Sequence, residues 1–325
     1  MEEQIKEKKE ENKTLENTDN KPETPKTEVN STVVNVTNEP KPKSKAIEYF
    51  DALLFAGLVA IFLKIFFVEA YRIPTGSMES TLLVGDFLLV NKFIYGATTP
   101  RNIPFTDVRI PFLKLPALKN PKKNDVIVFD FPGNRDEVQS REVINYIKRL
   151  AAGPGDSLQI VNRVLYVNGQ EVPLPPDAKI MGSPQNPKIA DQRIFPKGTE
   201  WNEDNYGPVR VPKKDDIIKI TPDNIDEWKT FVMREGHTIR LTADNKVFID
   251  ETETSDYKVE QDYYFMIGDN RNNSLDSRYW GFLARDKIIG EAMIIYWSWN
   301  PEISFSDFGR LFGSIRWGRI ANIIH

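Results

Sequence analysis

The chain has 325 residues, of which 28% are charged; its formal net charge is −4, and it contains two histidines and no cysteine. This balance gives no basic surface for nucleic acid, and the lack of cysteine excludes disulfides and thiolate metal sites. The histidines, His237 and His325, are too far apart in the sequence to favour a zinc site. We therefore expect no nucleic-acid partner, no metal and no organic cofactor.

Residues 1–45 are rich in lysine, glutamate and proline and contain no aromatic residue. Such a segment cannot bury enough apolar surface to offset the conformational entropy that ordering would remove. The composition therefore predicts a disordered tail that precedes the first apolar segment of the chain.

Residues 46–70 form that apolar segment, with an unbroken apolar run at 52–63. The run alone is short for a membrane span and would also suit a buried helix or the core of a signal peptide. Lys64 lies near the outer end, where its long side chain can reach the membrane surface, and residues 65–68 extend the apolar length. We predict a single transmembrane anchor at 46–70, with a soluble core helix as the alternative.

Charged residues on the two flanks predict the orientation of this anchor. Lys41, Lys43 and Lys45 precede it, whereas the other flank begins with Glu69. Because positive flanks stay on the cytoplasmic side, we expect a cytoplasmic tail and an extracytoplasmic domain at residues 71–325. The chain would then be a single-pass protein of the cell membrane.

Residues 73–82, IPTGSMESTL, place Ser77 directly after the anchor, between a glycine and a methionine. Thr75 and Gly76 are small enough to let backbone N–H groups approach a bound carbonyl, and Pro74 restricts the start of the turn. The segment predicts a nucleophilic serine close to the membrane surface. An ordinary polar loop that leaves the anchor is the alternative.

A serine becomes a strong nucleophile only when a neighbouring base takes its proton. His237 lies in a polar stretch that favours a surface hairpin, which leaves lysine as the common partner. Lys148 lies among apolar residues in 146–156, YIKRLAAGPGD. Lowering its pKa from about 10.4 to about 8 would cost ~3 kcal/mol, which burial can impose. A solvated lysine is the alternative.

Most of the remaining chain predicts β structure, and no long helical periodicity competes with it. Stretches rich in β-branched and aromatic residues occur at 86–95, 125–131, 238–250, 263–267 and 287–299. Asn168-Gly169 between short apolar runs predicts a hairpin. Residues 172–212 are proline-rich and predict an elaborate loop within a second β domain inserted at 157–262. The fold class is therefore mainly β, with one N-terminal transmembrane helix.

Residues 268–281, GDNRNNSLDSRYWG, follow one of these strands and are rich in turn-forming residues. Ser274 could orient the lysine amine, and Asp276 could pair with Arg278 to brace the loop. A solvent-exposed loop with a surface ion pair is the alternative.

The last 20 residues combine aromatic and basic side chains. Phe308, Phe312 and Trp317, with Arg310 and Arg316 between them, could form a surface that contacts membrane lipid. Packing of the aromatic rings on a core is the alternative.

The segments around Ser77 and Lys148 and the segment 268–281, together with 124–132, NDVIVFDFP, closely resemble the bacterial type I signal peptidases. These are membrane-anchored serine proteases of the Ser-Lys class, which remove signal peptides from exported proteins. The resemblance runs from the apolar segment to the C-terminus. Its motifs, SM, YIKR with GPGD, and GDNR with DSRYWG, occur in the order found in that family.

This resemblance implies that Ser77 is the nucleophile and Lys148 the general base of a membrane-bound endopeptidase that forms an acyl-enzyme. Thr75 would supply a hydroxyl to the oxyanion hole beside the Ser77 N–H, and Ser274 would hydrogen-bond the lysine. The implied substrates are secretory preproteins with small residues, usually alanine, at positions −1 and −3.

Two other functions fit parts of the pattern. A membrane-tethered β-rich binding or scaffold domain could keep the peptidase architecture without turnover, but the chain has a nucleophile, a base and an orienting serine. A Ser-Lys autoprotease, or a protease with one dedicated partner, would need no membrane anchor. The pattern as a whole favours the signal peptidase.

Overall fold

The computed structural model describes residues 44–96, 115–304 and 306–325. Contacts divide the chain into a unit that ends at Phe50 and a unit Asp51–His325. The tail predicted at residues 1–45 lies almost wholly outside the described residues, as do Lys41 and Lys43 of its basic flank.

Strands dominate the secondary structure of the described residues. They are β1 Val68–Arg72, β2 Asp86–Asn91, β3 Val126–Asp130, β4 Asn145–Ala152, β5 Ser157–Val161, β6 Val164–Val167, β7 Gln170–Val172, β8 Tyr206–Arg210, β9 Ile217–Lys219, β10 Ile239–Leu241, β11 Val247–Ile249, β12 Thr252–Glu253, β13 Asp256–Lys258, β14 Tyr263–Ile267, β15 Leu283–Ala284 and β16 Ile288–Ser298. The helices are α1 Lys45–Phe66, α2 Ile225–Arg234, α3 Ser277–Trp280 and α4 Phe308–Gly313. The predicted mainly β class is confirmed.

The first helix, α1, carries the apolar segment. Its window Lys45–Lys64 has a mean hydropathy of 2.0, and none of that window is buried. Among the described residues, it is the one helix long and apolar enough to cross a membrane. The predicted end of the helical segment at residue 70 is wrong, because the chain from Val68 onward already pairs with β2 as an antiparallel strand.

Seven strands form one antiparallel sheet in the order β1-β2-β16-β3-β4-β14-β15. The central strands β3 and β4 carry mostly buried residues, as expected for strands covered on both faces. Their register places Ile127 directly opposite Lys148. The sheet therefore holds Lys148 in its interior, whereas β1 lies at one edge and leads directly to Ser77.

Two of the predicted strands have different bounds in the structure. The stretch 86–95 ends as a strand at Asn91, whose Oδ1 accepts a hydrogen bond from the N–H of Ile94 at 3.2 Å. A 3-10 turn, Phe93–Tyr95, follows it. The β-rich stretch 238–250 forms the hairpin of β10 and β11, in agreement with the hairpin expected beside His237.

Local turn chemistry was predicted better than helices. Asn168 and Gly169 join β6 to β7 with φ angles of 55° and 76°, the positive values that a tight hairpin of this type requires. Helix α2, of ten residues, was not predicted, although the expectation concerned only long helical periodicity. Its amphipathic sequence, IDEWKTFVMR, buries Ile225, Phe231 and Val232 on one face.

The stretch predicted as an inserted domain, 157–262, forms its own small sheets. One is four-stranded, in the order β7-β6-β5-β8, and another is the three-stranded β10-β11-β12. Its buried residues, such as Leu158 and Val259, nevertheless belong to the same apolar cluster as Ala152 of β4 and Phe265 of β14. The stretch therefore has its own sheets but shares its core with the main sheet.

Candidate active site

Ser77 lies in a tight 3-10 turn, Gly76–Met78, which its neighbours hold in place. Met78 is fully buried in the core beside Ile73, and Ser77 is half-buried. The N–H of Asn270 donates to the Ser77 carbonyl at 3.1 Å, and Asn270 Nδ2 donates to the Gly76 carbonyl at 3.0 Å. Because core packing and these bonds fix the backbone of the turn, the Ser77 hydroxyl has a defined position.

Lys148 lies in the middle of β4 and is 3% exposed. Its Nζ donates a hydrogen bond to Ser77 Oγ at 2.7 Å and another to the Ile147 carbonyl at 3.0 Å. The centroid of the Tyr146 ring lies 5.1 Å from the same nitrogen. The structure thus brings together the serine and the lysine that the sequence singled out, although 71 positions separate them in the chain.

The electrostatic environment of Lys148 favours its neutral form. Burial lowers the pKa of Lys148 to about 8, although Asp276 and then Asp269 act in the opposite direction. A side chain with this pKa is partly deprotonated in mildly alkaline solution. It can then accept a proton from a hydroxyl within hydrogen-bonding distance, which is the requirement for a general base.

Thr75 precedes the turn in an extended conformation, with φ −130° and ψ 156°. Its side chain is exposed, makes no capping bond to the turn and lines the same cleft as Ser77 and Lys148. The Thr75 hydroxyl is therefore free of the turn and faces a space that a substrate could occupy. Its contribution to an oxyanion hole stays a prediction.

Gly268 lies between the Ser274 side chain and the Ser77 turn. A Cβ on Gly268 would lie 2.1 Å from Ser274 Oγ and 2.6 Å from the Ser77 carbonyl oxygen, so only glycine fits. Among the described residues, the buried Ser274 hydroxyl makes no hydrogen bond of good geometry, although it acts on the Asp276 carboxylate and helps to lower the pKa of Asp276; the Lys148 amine bonds elsewhere. The role of Ser274 in orienting the lysine stays a prediction.

Asp276 and Arg278 form a buried ion pair, with side chains 0% and 2% exposed. Arg278 Nε and NH2 donate to the two carboxylate oxygens at 2.9 and 2.8 Å. Asp276 also caps α3 and accepts from the Gly268 N–H at 3.1 Å. Burial acts to raise the pKa of Asp276, but the charge and hydrogen bonds of Arg278 outweigh it and lower that pKa. The pair braces the loop from inside, so the alternative of a surface ion pair is wrong.

A second buried ion pair was missed by sequence reasoning. Arg149, the residue after Lys148, donates from Nε and NH2 to Asp269 at 2.9 and 2.7 Å. Its NH1 donates to the carbonyls of Asn124 and His325, both at 2.8 Å. The sequence signal was only partial: an arginine inside an apolar strand needs a buried acceptor, but nothing near Arg149 in the chain indicates which carboxylate supplies it.

The proline-rich stretch also reaches the site, which the sequence did not predict. Lys179 forms a parallel bridge with Asn270, with backbone bonds of 2.8 Å to the Asp269 carbonyl and 2.9 Å from the Arg271 N–H. Its Nζ lies 3.7 Å from the Glu79 carboxylate, two residues after Ser77. Residues from the predicted inserted domain therefore support the loop that holds the Ser77 turn.

An open cleft of about 280 Å³ lies over the Ser77–Lys148 pair. Its walls are mostly apolar side chains and backbone from the Ser77 turn and the start of β4. The apolar lining residues are Ile73, Pro74, Ile144, Tyr146, Ile147 and Leu275. The cleft can accept a small uncharged side chain beside the serine hydroxyl.

Comparison with known families agrees with these features. A family model described as "Signal peptidase, peptidase S26" matches residues 46–297. The chain belongs to this family. The matched range contains Ser77, Lys148 and Ser274.

Individual relatives cover most of the chain. Signal peptidase I of Buchnera aphidicola subsp. Schizaphis graminum is 30% identical over 276 residues, which cover 82% of this chain and 78% of that protein. Signal peptidase I of Pseudomonas aeruginosa is 28% identical over 297 residues and 84% of each chain. A crystal structure of a signal peptidase I from Enterococcus faecalis shares 20% identity over 53% of this chain and 97% of its own, with a TM-score of 0.25.

Proposed function

We propose that this protein is an endopeptidase that removes N-terminal signal peptides from exported precursors, with Ser77 as nucleophile and Lys148 as general base. The observation that carries the proposal is the 2.7 Å contact between Ser77 Oγ and the buried Lys148 amine. Membership of the signal peptidase family supports the class of substrate. A Ser-Lys pair at this distance needs no third residue to transfer the first proton.

In the proposed reaction, Ser77 Oγ attacks the carbonyl carbon of the scissile bond while Lys148 Nζ takes the hydroxyl proton. The Ser77 N–H and the Thr75 hydroxyl stabilise the resulting oxyanion, and loss of one such donor typically costs about 3 kcal/mol. Lys148 then gives the proton to the leaving amine, so that an acyl-enzyme forms. Water hydrolyses the ester when Lys148 takes its proton, and the Ser77 hydroxyl is restored.

The cleft supports a preference for small residues at −1 and −3. Its apolar walls would favour alanine over a charged side chain, and its volume of about 280 Å³ leaves little space beside a peptide backbone. Residue 73 continues directly from β1, the edge strand of the main sheet. The main chain of Ile73 is itself buried and already bonded to Asp86 and Gly85, so a substrate in extended conformation could pair only with the outer edge of β1.

Two features support attachment to a membrane. The apolar helix α1 presents large side chains such as Leu53 and Phe55 to solvent, as a single membrane span would; the proposed cytoplasmic N-terminus rests on the lysines that precede it. At the other end of the sequence, Phe308, Phe312 and Trp317 are also well exposed. The arginines of this segment are each paired with an aspartate, Arg310 with Asp307 and Arg316 and Arg319 with the buried Asp86, so the exposed aromatic rings rather than free positive charge suit the headgroup region of a bilayer.

The test is cleavage of an exported-protein precursor with alanine at −1 and −3 by the full chain in detergent, with products identified by mass. We expect Ser77→Ala and Lys148→Ala to lose at least ~10³-fold in kcat/KM. Lys188→Ala, which removes an exposed lysine, is the matched control and should cleave like wild type. Cleavage by Lys148→Ala at the wild-type rate would refute the assignment of the base.

A further inference from the structure

A second, larger cavity adjoins the cleft over Ser77 and Lys148. Its volume is about 650 Å³, against about 280 Å³ for the cleft. The two cavities share Asn273 and Leu275 as lining residues, which form a ridge between them. The Asn273 Nδ2 atom lies 3.9 Å from the position that a Cβ on Gly76 would take, so the ridge is next to the Ser77 turn. The second cavity therefore begins beside the position of a scissile bond at Ser77 Oγ.

The lining of the second cavity is charged, unlike that of the cleft. Among the described residues that line the cleft, Lys148 is the one charged side chain. The charged residues that line the second cavity are Arg135, Asp136, Glu137, Arg193 and Glu203. Covering them with the apolar run of a signal peptide would remove their hydration without a polar replacement, which is unfavourable. The cavity therefore suits a polar peptide segment rather than the apolar part of a signal peptide.

Hydrogen bonds hold the walls of the second cavity in place. Arg135 NH1 donates to the carbonyls of Gln192 and Ile194 at 2.8 and 2.9 Å, which joins one wall to the proline-rich stretch. On another wall, the Tyr279 hydroxyl donates to the Glu203 carboxylate at 3.1 Å. The cavity is thus formed before any peptide binds, as sites for ligands usually are.

We propose that the second cavity binds the first residues of the mature protein, on the amine side of the scissile bond, while the cleft holds the small residues of the signal peptide. The proposal rests on the proposed function and extends it to the mature side of the substrate. An extended peptide advances about 3.4 Å per residue, so positions +2 and +3 would lie roughly 7–10 Å beyond Ser77. That distance takes them past the ridge of Asn273 and Leu275 and into the cavity.

Introduced cysteines can test this assignment, because the chain contains no cysteine of its own. Glu137→Cys and Arg193→Cys each place one thiol on a wall of the cavity, and the Arg193 side chain is 76% exposed. Lys188→Cys is the matched control, since Lys188 is an exposed residue of the same stretch as Arg193 but lines neither cavity. A disulfide forms only when the two Cα atoms approach within about 7 Å, so it reports a direct approach.

The first experiment uses the full chain in detergent with Ser77→Ala, which removes the nucleophile so that the bound precursor stays intact. Each cysteine variant is mixed under mild oxidation with precursors that carry a single cysteine at −5, +2 or +3, and the disulfides are identified by mass. We expect cysteines at +2 and +3 to bridge to Glu137→Cys or Arg193→Cys and not to Lys188→Cys. A cysteine at −5, on the signal side, should bridge to neither cavity position.

A second experiment uses the active protein and does not depend on disulfide geometry. A bulky maleimide attached to Arg193→Cys should obstruct the cavity. It should lower kcat/KM for the precursor by ~10-fold or more relative to the unlabelled variant, since contacts remote from the reacting bond contribute to the rate. A peptide substrate that ends as an amide at +1 does not reach the cavity, so its cleavage should be unchanged by the label. Wild type treated with the same reagent controls for effects that do not involve the thiol.

Disulfides from +2 and +3 to Lys188→Cys, or from −5 to the cavity positions, would overturn the proposal. So would the absence of any disulfide at the cavity positions together with a label that slows neither substrate, or slows both equally. Glu137→Cys and Arg193→Cys are measured independently, and the label can be attached to either, so one suffices if the other does not fold.

Cleavage of the precursor by wild type separates this proposal from the proposed function. If wild type does not cleave the precursor, the proposed function is refuted. If wild type cleaves it and one of the contrary results above is found, only the assignment of the second cavity is refuted.

Discussion

Ion pairs occur in two contrasting settings in this protein. Around the lysine, Asp269 and Asp276 are buried with their arginines. At the hairpin of β10 and β11, His237 contacts Asp250 through Nδ1 and Glu260 through Nε2, and these carboxylates remain 51% and 54% exposed. The residue types are similar, but only the first set is shielded from water.

Burial therefore decides which of the two groups of ion pairs interacts strongly. Water and salt screen exposed pairs, which typically contribute only ~0–1 kcal/mol, whereas breaking a buried pair costs several times more. Histidine is the residue type most often used as a base in serine peptidases. His237, however, belongs to the exposed ion pairs and contacts carboxylates rather than Ser77. The buried set surrounds the lysine instead.

The largest expected effect comes from Lys148→Met. Activity should fall by at least ~10³-fold, because no other base contacts Ser77 Oγ among the described residues. At pH 7 the variant should nevertheless be more stable than wild type by up to about 3 kcal/mol, the cost of lowering the pKa of a buried lysine from 10.5 to about 8. Denaturant titrations of both proteins in detergent measure this difference.

The stability difference between Lys148→Met and wild type should depend on pH, and this dependence tests whether the lysine charge is its cause. The unfolded chain binds more protons than the folded one between pH 8 and 10.5, so wild-type stability should rise with pH across that window. The advantage of Lys148→Met should therefore be complete below pH 8 and vanish above 10.5. An advantage of the same size at pH 11 would mean that methionine simply packs better.

Gly268→Ala should disturb the active site by steric overlap, without any change of charge. Its Cβ would overlap Ser274 Oγ and the Ser77 carbonyl oxygen, at 2.1 and 2.6 Å, so the loop must move away from the Ser77 turn. A displacement near 1 Å in a catalytic site lowers the rate by roughly 10²-fold. Gly318→Ala, where nothing lies within 4 Å, is the control and should keep wild-type kcat/KM. Equal rates for the two variants would show that the loop tolerates the shift.

A comparison of Asp276→Asn with Asp250→Asn tests whether the buried ion pair contributes more to stability than the exposed one. Removing the Asp276 charge leaves the buried Arg278 with only the Glu203 carboxylate, 4.0 Å away, which should reduce the free energy of unfolding by about 3–5 kcal/mol. Asp250→Asn should reduce it far less, because its partner His237 can be solvated. Denaturant titration of the two variants at pH 7 gives the comparison. Similar losses would mean that burial does not set the strength of these pairs.

Local signals in the sequence predicted much of the site. Small residues around Ser77 and an apolar setting around Lys148 made both residues candidates, and the resemblance to the signal peptidases favoured them over a polar loop and a solvated lysine; the structure places the two side chains 2.7 Å apart. The Asn168-Gly169 hairpin was identified because both residues tolerate positive φ. The hairpin was decided by two adjacent residues, whereas the serine and the lysine needed the combined pattern of several segments.

Long-range contacts were out of reach of that reasoning. Arg149 and Asp269 are 120 positions apart, and nothing near Lys179 indicates that its backbone pairs with the loop at Asn270. The end of α1 at Phe66 likewise depends on the pairing of β1 with a later strand. Helix α2 differs, because acidic residues in its first turn and an arginine in its last are local helix signals that were available.

The smallest expected effect concerns His237→Gln. Asp250, by a side-chain hydrogen bond, and then Glu260 outweigh desolvation and raise the pKa of His237 above its ordinary 6.5. The charged form thus stabilises the fold below pH 6.5, and this contribution disappears as the pH rises through the raised pKa. Because the pair is exposed, we expect the variant to lower the melting temperature by less than ~2 °C at pH 5.5 and low salt.

Melting of wild type and His237→Gln at pH 5.5 and pH 9, each at low and high salt, separates charge from packing. A difference confined to low pH and reduced by salt would fit a screened surface pair. A difference of equal size at pH 9 would assign the effect to the contact between the His237 and Tyr257 rings, whose centroids are 5.6 Å apart. A salt-independent loss at pH 5.5 as large as that of Asp276→Asn would mean that exposure is not what separates the two sets of ion pairs.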